Sequence, residues 1–359
     1  MSLRSNIIWR IFMKRFLIFG LALMLIGAAL FADDAKVMPA RVGRLYIAPS
    51  FVMGNKAFDS DGDRVDTHID MKFLNLGAAL EFGLAKWVTA ALQWTPGINV
   101  WSKFDTPTGA KIELKGMGDL FAGAKLQIMG SEAPVQTDAF RLAFAPGVKI
   151  PLPGPDYKKQ AENMAAGKSF TPNNLDHHVL GAGLRSYFDI LFGKSFFLNL
   201  YNEFIYYPVK GKFEKAGLEQ YVGYATANGL LASLGSSVEG EVNYGYDLTF
   251  ELEPAFTFNL SPKVQFNAGL PVNYKIVPGV KYSFTGTGPG GSSSVAALED
   301  AFPDGEKSQL LTLRPGASIF FLGWALPMEF KLSYFYPVWG KNASANQTFS
   351  FQIRAYFKI

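Results

Sequence analysis

Charged side chains of both signs occur at alternate positions within segments of the chain that are otherwise apolar. Acids and bases opposed across a water-filled passage would set a transverse field and select solutes by charge. Alternatively, they would form ion pairs that fill and stiffen an interior without selecting anything. We predict that an interior contains Glu81, Asp119, Lys125 and Lys275, and, as candidates for a constriction, Arg141, Lys149, Arg185, Glu203, Glu241, Asp247, Glu251, Arg314, Glu329, Lys331 and Arg354.

A second group of carboxylates lies close together in the sequence, between residues 59 and 66. Its density of acids is that of a calcium loop, but Arg64 stands where an EF-hand requires glycine and no glutamate closes the loop. A solvated acidic turn is favoured over a cation site, and we expect no bound metal and no cofactor. The carboxylates that a cation would use are Asp59, Asp61, Asp63 and Asp66.

The elements that position these charges are strands, as the last stretch of the chain shows. From Phe349 to Ile359 every odd residue is apolar, and most even residues are polar or charged, including Arg354 and Lys358. This period of two indicates a strand with one apolar face and one polar face. Such a strand fits a transmembrane β-barrel, apolar toward lipid and polar toward the lumen. The alternative is the edge strand of a soluble sandwich.

Similar segments recur along the chain, and the connections between them alternate between short and long. Bacterial barrels have an even number of strands, short periplasmic turns and longer outer loops. We therefore predict an all-β fold, a single antiparallel transmembrane barrel of twelve strands. The predicted strands are residues 43–53, 69–83, 87–101, 116–129, 138–150, 177–192, 195–208, 239–260, 263–282, 307–322, 325–339 and 347–358.

The N-terminus has the features of an export signal. Lys14 and Arg15 precede an apolar run that ends at Phe31, and Ala32 is a small residue before two acids. The sequence predicts a signal peptide over residues 1–32, with translation beginning at Met1 or Met13. A short periplasmic segment over residues 33–42 and the barrel over residues 43–359 would follow.

Composition limits the other classes of function. Removing residues 1–32 lowers the number of lysines and arginines from 34 to 30, against 30 acids, so the mature chain is neutral and no nucleic-acid partner is expected. The chain has no cysteine and three histidines. A barrel lipase needs a serine and a histidine oriented together, and adjacent His177 and His178 would face opposite sides of a strand. We expect no enzymatic activity.

Three glycine-rich motifs resemble a known transporter family. Gly116-Met-Gly-Asp-Leu-Phe-Ala-Gly-Ala-Lys125, Pro146-Gly-Val-Lys-Ile-Pro151 and Gly181-Ala-Gly-Leu-Arg185 resemble successive strands of the family called MetA-pathway of phenol degradation. That family is similar to the FadL-type barrels that take up hydrophobic compounds. The resemblance covers roughly residues 70–210. FadL-type barrels contain an N-terminal plug, for which residues 33–42 are too short, so a plug would come from a loop such as residues 157–168.

Prolines interrupt several predicted strands. A proline cannot donate to the hydrogen-bond ladder, so each marks a bulge, a bend or a strand end. The family resemblance suggests that one such bend opens the wall sideways, so that an apolar ligand leaves into the bilayer; the alternative is that prolines only shape the barrel. The candidates are Pro146, Pro254, Pro271 and Pro315.

Together these features predict an outer-membrane channel of a diderm bacterium for passive uptake of small hydrophobic or aromatic compounds. Inward-facing phenylalanines would favour this function, whereas an open, ion-lined lumen would favour a charge-selective porin for polar solutes. A non-transport adhesin or structural barrel is the remaining alternative. The expected partners are outer-membrane lipid, a small-molecule solute and the barrel assembly machinery, because the C-terminal strand resembles the targeting strand of outer-membrane proteins, with Ile359 in place of the usual phenylalanine.

Overall fold

A computed structural model describes residues 34–105, 116–153, 176–212, 237–287, 295–296, 299 and 304–359. The predicted signal peptide and residues 157–168 lie outside these ranges. Among the described residues, no helix is long and apolar enough to cross a membrane.

The wall is one antiparallel sheet that closes on itself. Its strands are β1 Val42–Phe58, β2 Arg64–Ala85, β3 Val88–Asp105, β4 Leu120–Met129, β5 Phe140–Ile150, β6 Gly181–Phe192, β7 Phe196–Tyr206, β10 Tyr246–Ser261, β11 Val264–Gly269, β12 Val272–Val277, β14 Ser308–Leu313, β15 Gly316–Phe321, β16 Met328–Lys341 and β18 Gln347–Lys358. β11 and β12 together form the ninth barrel strand, and β14 and β15 the tenth. Pairing of β1 with β18, from Val42↔Lys358 to Met53↔Gln347, completes a barrel of twelve strands, as the sequence predicted.

Side-chain exposure follows the alternation, with the polar face inside. On β10, Glu251 is 9% exposed and Glu253 is 0% exposed, whereas the intervening Leu252 is 42% exposed. A water-soluble sheet would bury the leucine and expose the acids. The inverse arrangement, with apolar residues outside and charged residues enclosed, is that of a membrane barrel.

The short connections, the start of β1 and the end of β18 share one end of the barrel, here called the short-turn end. The turns that join β2 to β3, β6 to β7 and β10 to β11 contain only two or three residues each. At the opposite, long-loop end, a separate three-stranded sheet stands outside the barrel wall. Its strands are β8 Gly211–Lys212, β9 Ser237–Asn243 and β13 Lys281–Thr287, and a short β17, Ala343–Ser344, pairs with the end of β1.

This outer sheet corrects one predicted strand. The sequence predicted a continuous strand over residues 239–260, but the chain turns at Gly245, whose φ is 69°. β9 therefore leaves the wall before β10 begins, and Glu241 lies outside the barrel. There it accepts a hydrogen bond of 2.7 Å from Lys210, which lowers the pKa of Glu241 below its ordinary value. Glu241 is therefore not a lumen residue. The sequence placed it in the lumen because the alternation of polar and apolar residues continues through the turn at Gly245, although β9 leaves the wall at that turn.

The four candidate prolines affect the wall differently. Pro146 lies within the unbroken strand β5, paired with Leu184. Pro254 lies in β10 where its pairing changes from β12 to β11. Pro271 and Pro315 each fall in the gap that divides a barrel strand into two segments.

The two gaps are adjacent, so they form one notch across neighbouring strands. The notch is bridged by backbone hydrogen bonds: Leu270 N–H donates to the Pro254 carbonyl at 3.0 Å, Arg314 to Pro271 at 2.9 Å and Tyr334 to Pro315 at 2.8 Å. Prolines can accept but cannot donate. The wall is therefore continuous at this level but carries fewer hydrogen bonds than a regular ladder.

Candidate functional site

A layer of side chains crosses the middle of the lumen, and Arg185 on β6 is at its centre. The Arg185 guanidinium donates through Nε to Glu203 Oε2 on β7 and through Nη1 to Gln93 Oε1 on β3, both at 2.5 Å. Its Cζ lies 3.8 Å from the ring centre of Phe121 on β4. The contact with Gln93 links strands that are three positions apart in the wall. These four residues, Gln93, Phe121, Arg185 and Glu203, are here called the partition.

The partition separates two cavities. The outer cavity, toward the long-loop end, has a volume of about 470 Å³ and is also lined by Asp119, Lys149 and Asp247. The inner cavity, toward the short-turn end, has a volume of about 440 Å³. Gln93, Phe121 and Arg185 line both cavities.

Ion pairs on the opposite wall border the inner cavity. Arg44 on β1 pairs with Glu81 on β2, and Gln93 Nε2 also donates to Glu81, at 3.3 Å. On β16, Glu329 pairs with Arg354 at 3.2 Å and accepts hydrogen bonds from the Tyr356 and Ser318 hydroxyls at 2.9 and 2.6 Å. These carboxylates are fully engaged, which is the arrangement expected of a stiffening ion-pair lattice.

Phenylalanines and tyrosines also point inward. Phe121, Phe197 and Phe320 line the inner cavity, with Tyr187 and Tyr356. The Phe320 and Tyr356 rings lie 4.7 Å apart between centres. The inner cavity therefore has apolar surfaces between its ion pairs.

The N-terminal segment enters the barrel from the short-turn end. Ala35 is completely buried, and its N–H donates to Asp189 Oδ2 on β6 at 3.1 Å. Met38 N–H donates to Thr89 Oγ1 at 2.7 Å, and Lys125 Nζ donates to the Asp34 carbonyl at 2.8 Å. Although the sequence analysis expected any plug to come from a loop, this short segment occupies part of the inner lumen.

Arg141 on β5 holds the same region together. Its Nε lies 2.6 Å from Asp189 Oδ2, and its Nη1 lies 3.7 Å from Asp34 Oδ2. Arg141 therefore connects the wall to the N-terminal segment through two carboxylates.

The two adjacent histidines have different surroundings, and His177 lines the outer cavity. His177 stacks on Tyr244, with ring centres 4.2 Å apart, and its Nε2 lies 3.5 Å from Asp247. His178 turns the other way: its N–H donates to Asp119 Oδ2 at 3.1 Å, and its Nδ1 lies 3.4 Å from Asp119 Oδ1. The hydrogen bond with Asp119 raises the pKa of His178 above its ordinary value, although burial opposes this shift.

Most of the predicted constriction residues line the lumen, but at several levels. Arg185 and Glu203 belong to the partition, and Lys149, bonded to Asp176, lies with Asp247 in the outer cavity. Glu251 pairs with Arg314 at 3.1 Å beside the notch, and Lys331 is buried on the lumen face of β16. Glu329 and Arg354 border the inner cavity, Arg141 lies at the short-turn end, and Glu241 is outside.

Sequence reasoning did not identify several lumen residues of equal importance. Gln93 and Phe121 carry no charge, so a search for charges passes over them. Glu253, Asp189 and Arg44 occupy the polar positions of alternating segments, and strict application of the period of two would have found all three.

The acidic first loop is satisfied by its own backbone. Asp59 Oδ1 accepts hydrogen bonds from the N–H groups of Asp61, Gly62 and Asp63 at 3.0, 2.9 and 2.8 Å. Asp66 accepts from His68 N–H at 2.7 Å. In the part of the chain that the structure describes, no cluster of histidine, cysteine, aspartate or glutamate could hold a metal ion.

Comparisons with known proteins support the fold. No family model matches the chain, and no curated protein matches its sequence. The COG4313 outer membrane channel from Pseudomonas putida F1 superimposes with a TM-score of 0.61 at 10% identity, covering 91% of this chain and 100% of that one. Two other structures are more distant. A Pseudomonas aeruginosa FadL homologue superimposes with a TM-score of 0.37 at 12% identity, covering 92% of this chain and 96% of that one. The Ralstonia pickettii toluene transporter TbuX superimposes with a TM-score of 0.38 at 7% identity, covering 91% of this chain and 92% of that one. The chain therefore has the fold of an outer-membrane β-barrel.

Proposed function

We propose that this protein is an outer-membrane channel for the passive uptake of small hydrophobic compounds, including aromatic ones. The observation that carries the proposal is the set of inward-facing phenylalanines in the inner cavity, Phe121, Phe197 and Phe320. A general pore for polar solutes gains nothing from phenylalanine in its lumen, whereas a binding cavity for apolar solutes is lined mainly by such rings.

The volume and closure of the lumen agree with binding followed by release. The inner cavity, of about 440 Å³, falls within the range of small-ligand sites, about 300–1,000 Å³. The partition lies above it, and the N-terminal segment lies below it. A solute would therefore pass through side-chain rearrangement rather than by free diffusion through an open pore.

The resemblance of three motifs to the MetA-pathway and FadL-like transporters is in keeping with this function. So is the similarity of the fold to that of the outer membrane channel from Pseudomonas putida F1. We further propose that the protein lies in the outer membrane of a diderm bacterium, has no enzymatic activity and is inserted by the barrel assembly machinery through β18. Residues 1–32 would serve as its export signal.

The notch at Pro271 and Pro315 is our candidate for the exit. It lies in adjacent strands whose ladder is weakened there, because each proline lacks a donor. Lateral release into the bilayer would spare an apolar solute the transfer back into water.

A charge-selective pore is the second candidate function. The rows of opposed acids and bases favour it, notably Arg44 with Glu81 and Arg185 with Glu203. Because these groups are paired with one another, they leave little free charge to act on a passing ion. The apolar route is therefore the better supported.

Single-channel conductance and ligand binding together test the two functions. Refolded mature protein is placed in a planar bilayer, in salt, with and without toluene as probe. We expect low conductance, and calorimetric binding of toluene that weakens in Phe197→Ser and Phe320→Ser but not in the control Phe335→Ser, a lumen position outside the inner cavity. A steady conductance that scales with salt and ignores toluene would establish the polar pore instead.

A further inference from the structure

Glu253 differs from every acid described above. It lies on the lumen face of β10 immediately before Pro254, it is 0% exposed, and it lines the inner cavity. Among the described residues, neither Oε1 nor Oε2 has a hydrogen-bond partner. A buried carboxyl group without donors is unfavourable by several kcal/mol, so such a group in a cavity indicates that a donor is missing.

A second acceptor without a partner lies directly beside it. Asn199 on β7 is the register partner of Glu253, and directly opposed residues have Cβ atoms about 4.5–5.5 Å apart. The Asn199 Nδ2 donates to Asp189 Oδ1 at 2.6 Å. Because a carboxylate accepts, this bond fixes the orientation of the amide, and the buried Asn199 Oδ1 is left without a donor among the described residues.

The local backbone makes room for the carboxyl group. A Cβ at Gly269 would lie 2.1 Å from Glu253 Oε1. Glycine at this position therefore allows Glu253 to lie against the wall beside the notch. Glu253 lines the inner cavity, and the acceptor Asn199 Oδ1 lies beside it in the wall as the side chain of its register partner.

The other acids near Glu253 already have cationic partners. Glu251 pairs with Arg314, and Asp34 and Asp189 pair with Arg141. Glu253 is therefore the acid of this group that is left to accept from a further donor. Lys331 does not supply the missing hydrogen bond, since neither oxygen of Glu253 has a partner. An ammonium group carries three donors on one charge, which equals the number of acceptors without partners, Glu253 Oε1 and Oε2 and Asn199 Oδ1.

We propose that the inner cavity binds primary ammonium compounds with a small apolar or aromatic body. The ammonium group donates to Glu253 and Asn199, and the body lies against Phe197 and Phe320. This inference rests on the proposed function, because it specifies which apolar solutes the same cavity prefers. An aromatic face near the ammonium group adds a cation–π attraction.

The test compares two probes of nearly equal shape, 2-phenylethylamine and ethylbenzene. Each is titrated calorimetrically into the refolded mature protein in detergent at pH 7, and the detergent-only titration is subtracted. The wild type should bind the amine at least about 10-fold more tightly than ethylbenzene, because hydrogen bonds to charged groups contribute about 1.5–3 kcal/mol and 1.4 kcal/mol is tenfold. Glu253→Gln should weaken amine binding by about 10- to 100-fold and leave ethylbenzene unchanged.

Glu329→Gln is the matched control. It makes the same carboxyl-to-amide change in the same cavity, but at a side chain already bonded to Ser318, Arg354 and Tyr356. It should weaken the amine much less than Glu253→Gln does. Equal losses in the two variants would overturn the site, since they would reflect the general field of the lumen.

The outcomes separate this inference from the function on which it rests. Binding of ethylbenzene with no preference for the amine would overturn the amine site and leave uptake of apolar compounds intact. Failure of both probes to bind would overturn both proposals. Should Glu253→Gln fail to refold, judged by heat-modifiable gel migration, the preference of the wild type and its loss in Asn199→Ala decide the question.

Discussion

At the scale of single residues, the lumen is divided by the contacts that Arg185 makes with two strands that are not its neighbours. Arg185 reaches Gln93 across the barrel while it remains paired with Glu203. Both Gln93 and Phe121 contact the Arg185 guanidinium, but of the two only Gln93 accepts a hydrogen bond from it. The position of the guanidinium, and with it the separation of the two cavities, therefore depends on an uncharged residue.

Gln93→Ala should open the partition. Without the amide oxygen, Arg185 loses its cross-lumen acceptor, and we expect a higher single-channel conductance at a cost in unfolding free energy of about 1–3 kcal/mol. Gln352→Ala is the control, because Gln352 faces the lumen on β18 but bonds to Arg354 instead of Arg185. Equal conductance in wild type and Gln93→Ala would contradict the assigned role.

His178 should make stability depend on pH. Its pKa is raised in the folded protein by the hydrogen bond with Asp119, and the charge of Asp176 acts in the same direction. A raised pKa means that the contribution is fully present below the unfolded value, about 6.5, and is lost as pH rises through the folded value. The excess unfolding free energy of wild type over His178→Gln, measured by denaturant titration, should therefore fall between pH 5.5 and pH 9.

Asp119→Asn provides the check on this interpretation. The amide keeps the shape of the side chain but removes the charge that favours protonated His178. The difference between pH 5.5 and pH 9 should shrink in that background. A difference of unchanged size would assign the pH dependence to another group.

At the scale of elements, the ninth and tenth barrel strands are each made of two segments. Their lower segments pair at Gly269↔Gly316 and their upper segments at Val272↔Leu313, so the notch lies between these two pairs. A regular pair of strands would place two more residue pairs there, Leu270↔Pro315 and Pro271↔Arg314. The interruption makes the notch our candidate for the place where the wall opens.

Cross-linking the flanks of the notch should block lateral release. The chain has no cysteine, so Val272→Cys with Leu313→Cys introduces a single thiol pair that a short bifunctional maleimide can join. We expect uptake of labelled toluene by intact cells to fall after cross-linking, with unchanged conductance in bilayers. The same treatment of Phe266→Cys with Ile319→Cys, a register pair below the notch, should leave uptake intact.

The cross-link also shows whether the prolines allow the wall to open sideways or only shape the barrel. If toluene uptake survives in the Val272 and Leu313 variant, the prolines shape the barrel and the solute leaves by another route. If both thiol pairs block uptake alike, the effect is on the wall as a whole.

At the scale of the whole molecule, the N-terminal segment and the wall form one structure. Asp34, Lys36 and Met38 line the inner cavity, and Ala35 is completely buried against the wall. The barrel is thus narrowed from within by residues that precede its first strand. The short length of the segment does not prevent this, because each of its contacts is made close to the short-turn end.

Deletion of residues 34–39 should widen the inner lumen. We expect a higher conductance and weaker binding of toluene, since the deletion removes part of the cavity lining while the Arg141 and Asp189 pair stays in the wall. The point variant Lys86→Ala serves as the control, because that side chain lies in the β2–β3 turn at the same end of the barrel and is 71% exposed. An unchanged conductance after deletion would show that the partition alone limits flow.

The sequence by itself determined the strands and the face each residue takes. Alternation is a local property: in a strand, each side chain points opposite to its neighbour, so Phe349 outward and Arg354 inward could be deduced without any partner. The same reasoning gave the twelve-stranded barrel and all the lumen charges it named except Glu241. It failed there because the departure of β9 from the wall at Gly245 leaves the alternation unbroken.

Only the tertiary structure decided which inward-facing residues meet. Whether Arg185 reaches Gln93, or Glu253 lies beside Asn199 without a donor, depends on the stagger and tilt of strands in the closed barrel, which no single segment encodes. The entry of residues 34–39 into the lumen was undetermined for the same reason. The face on which a residue lies is set by its own strand, whereas the contacts across the lumen are set by the way the strands close into a barrel.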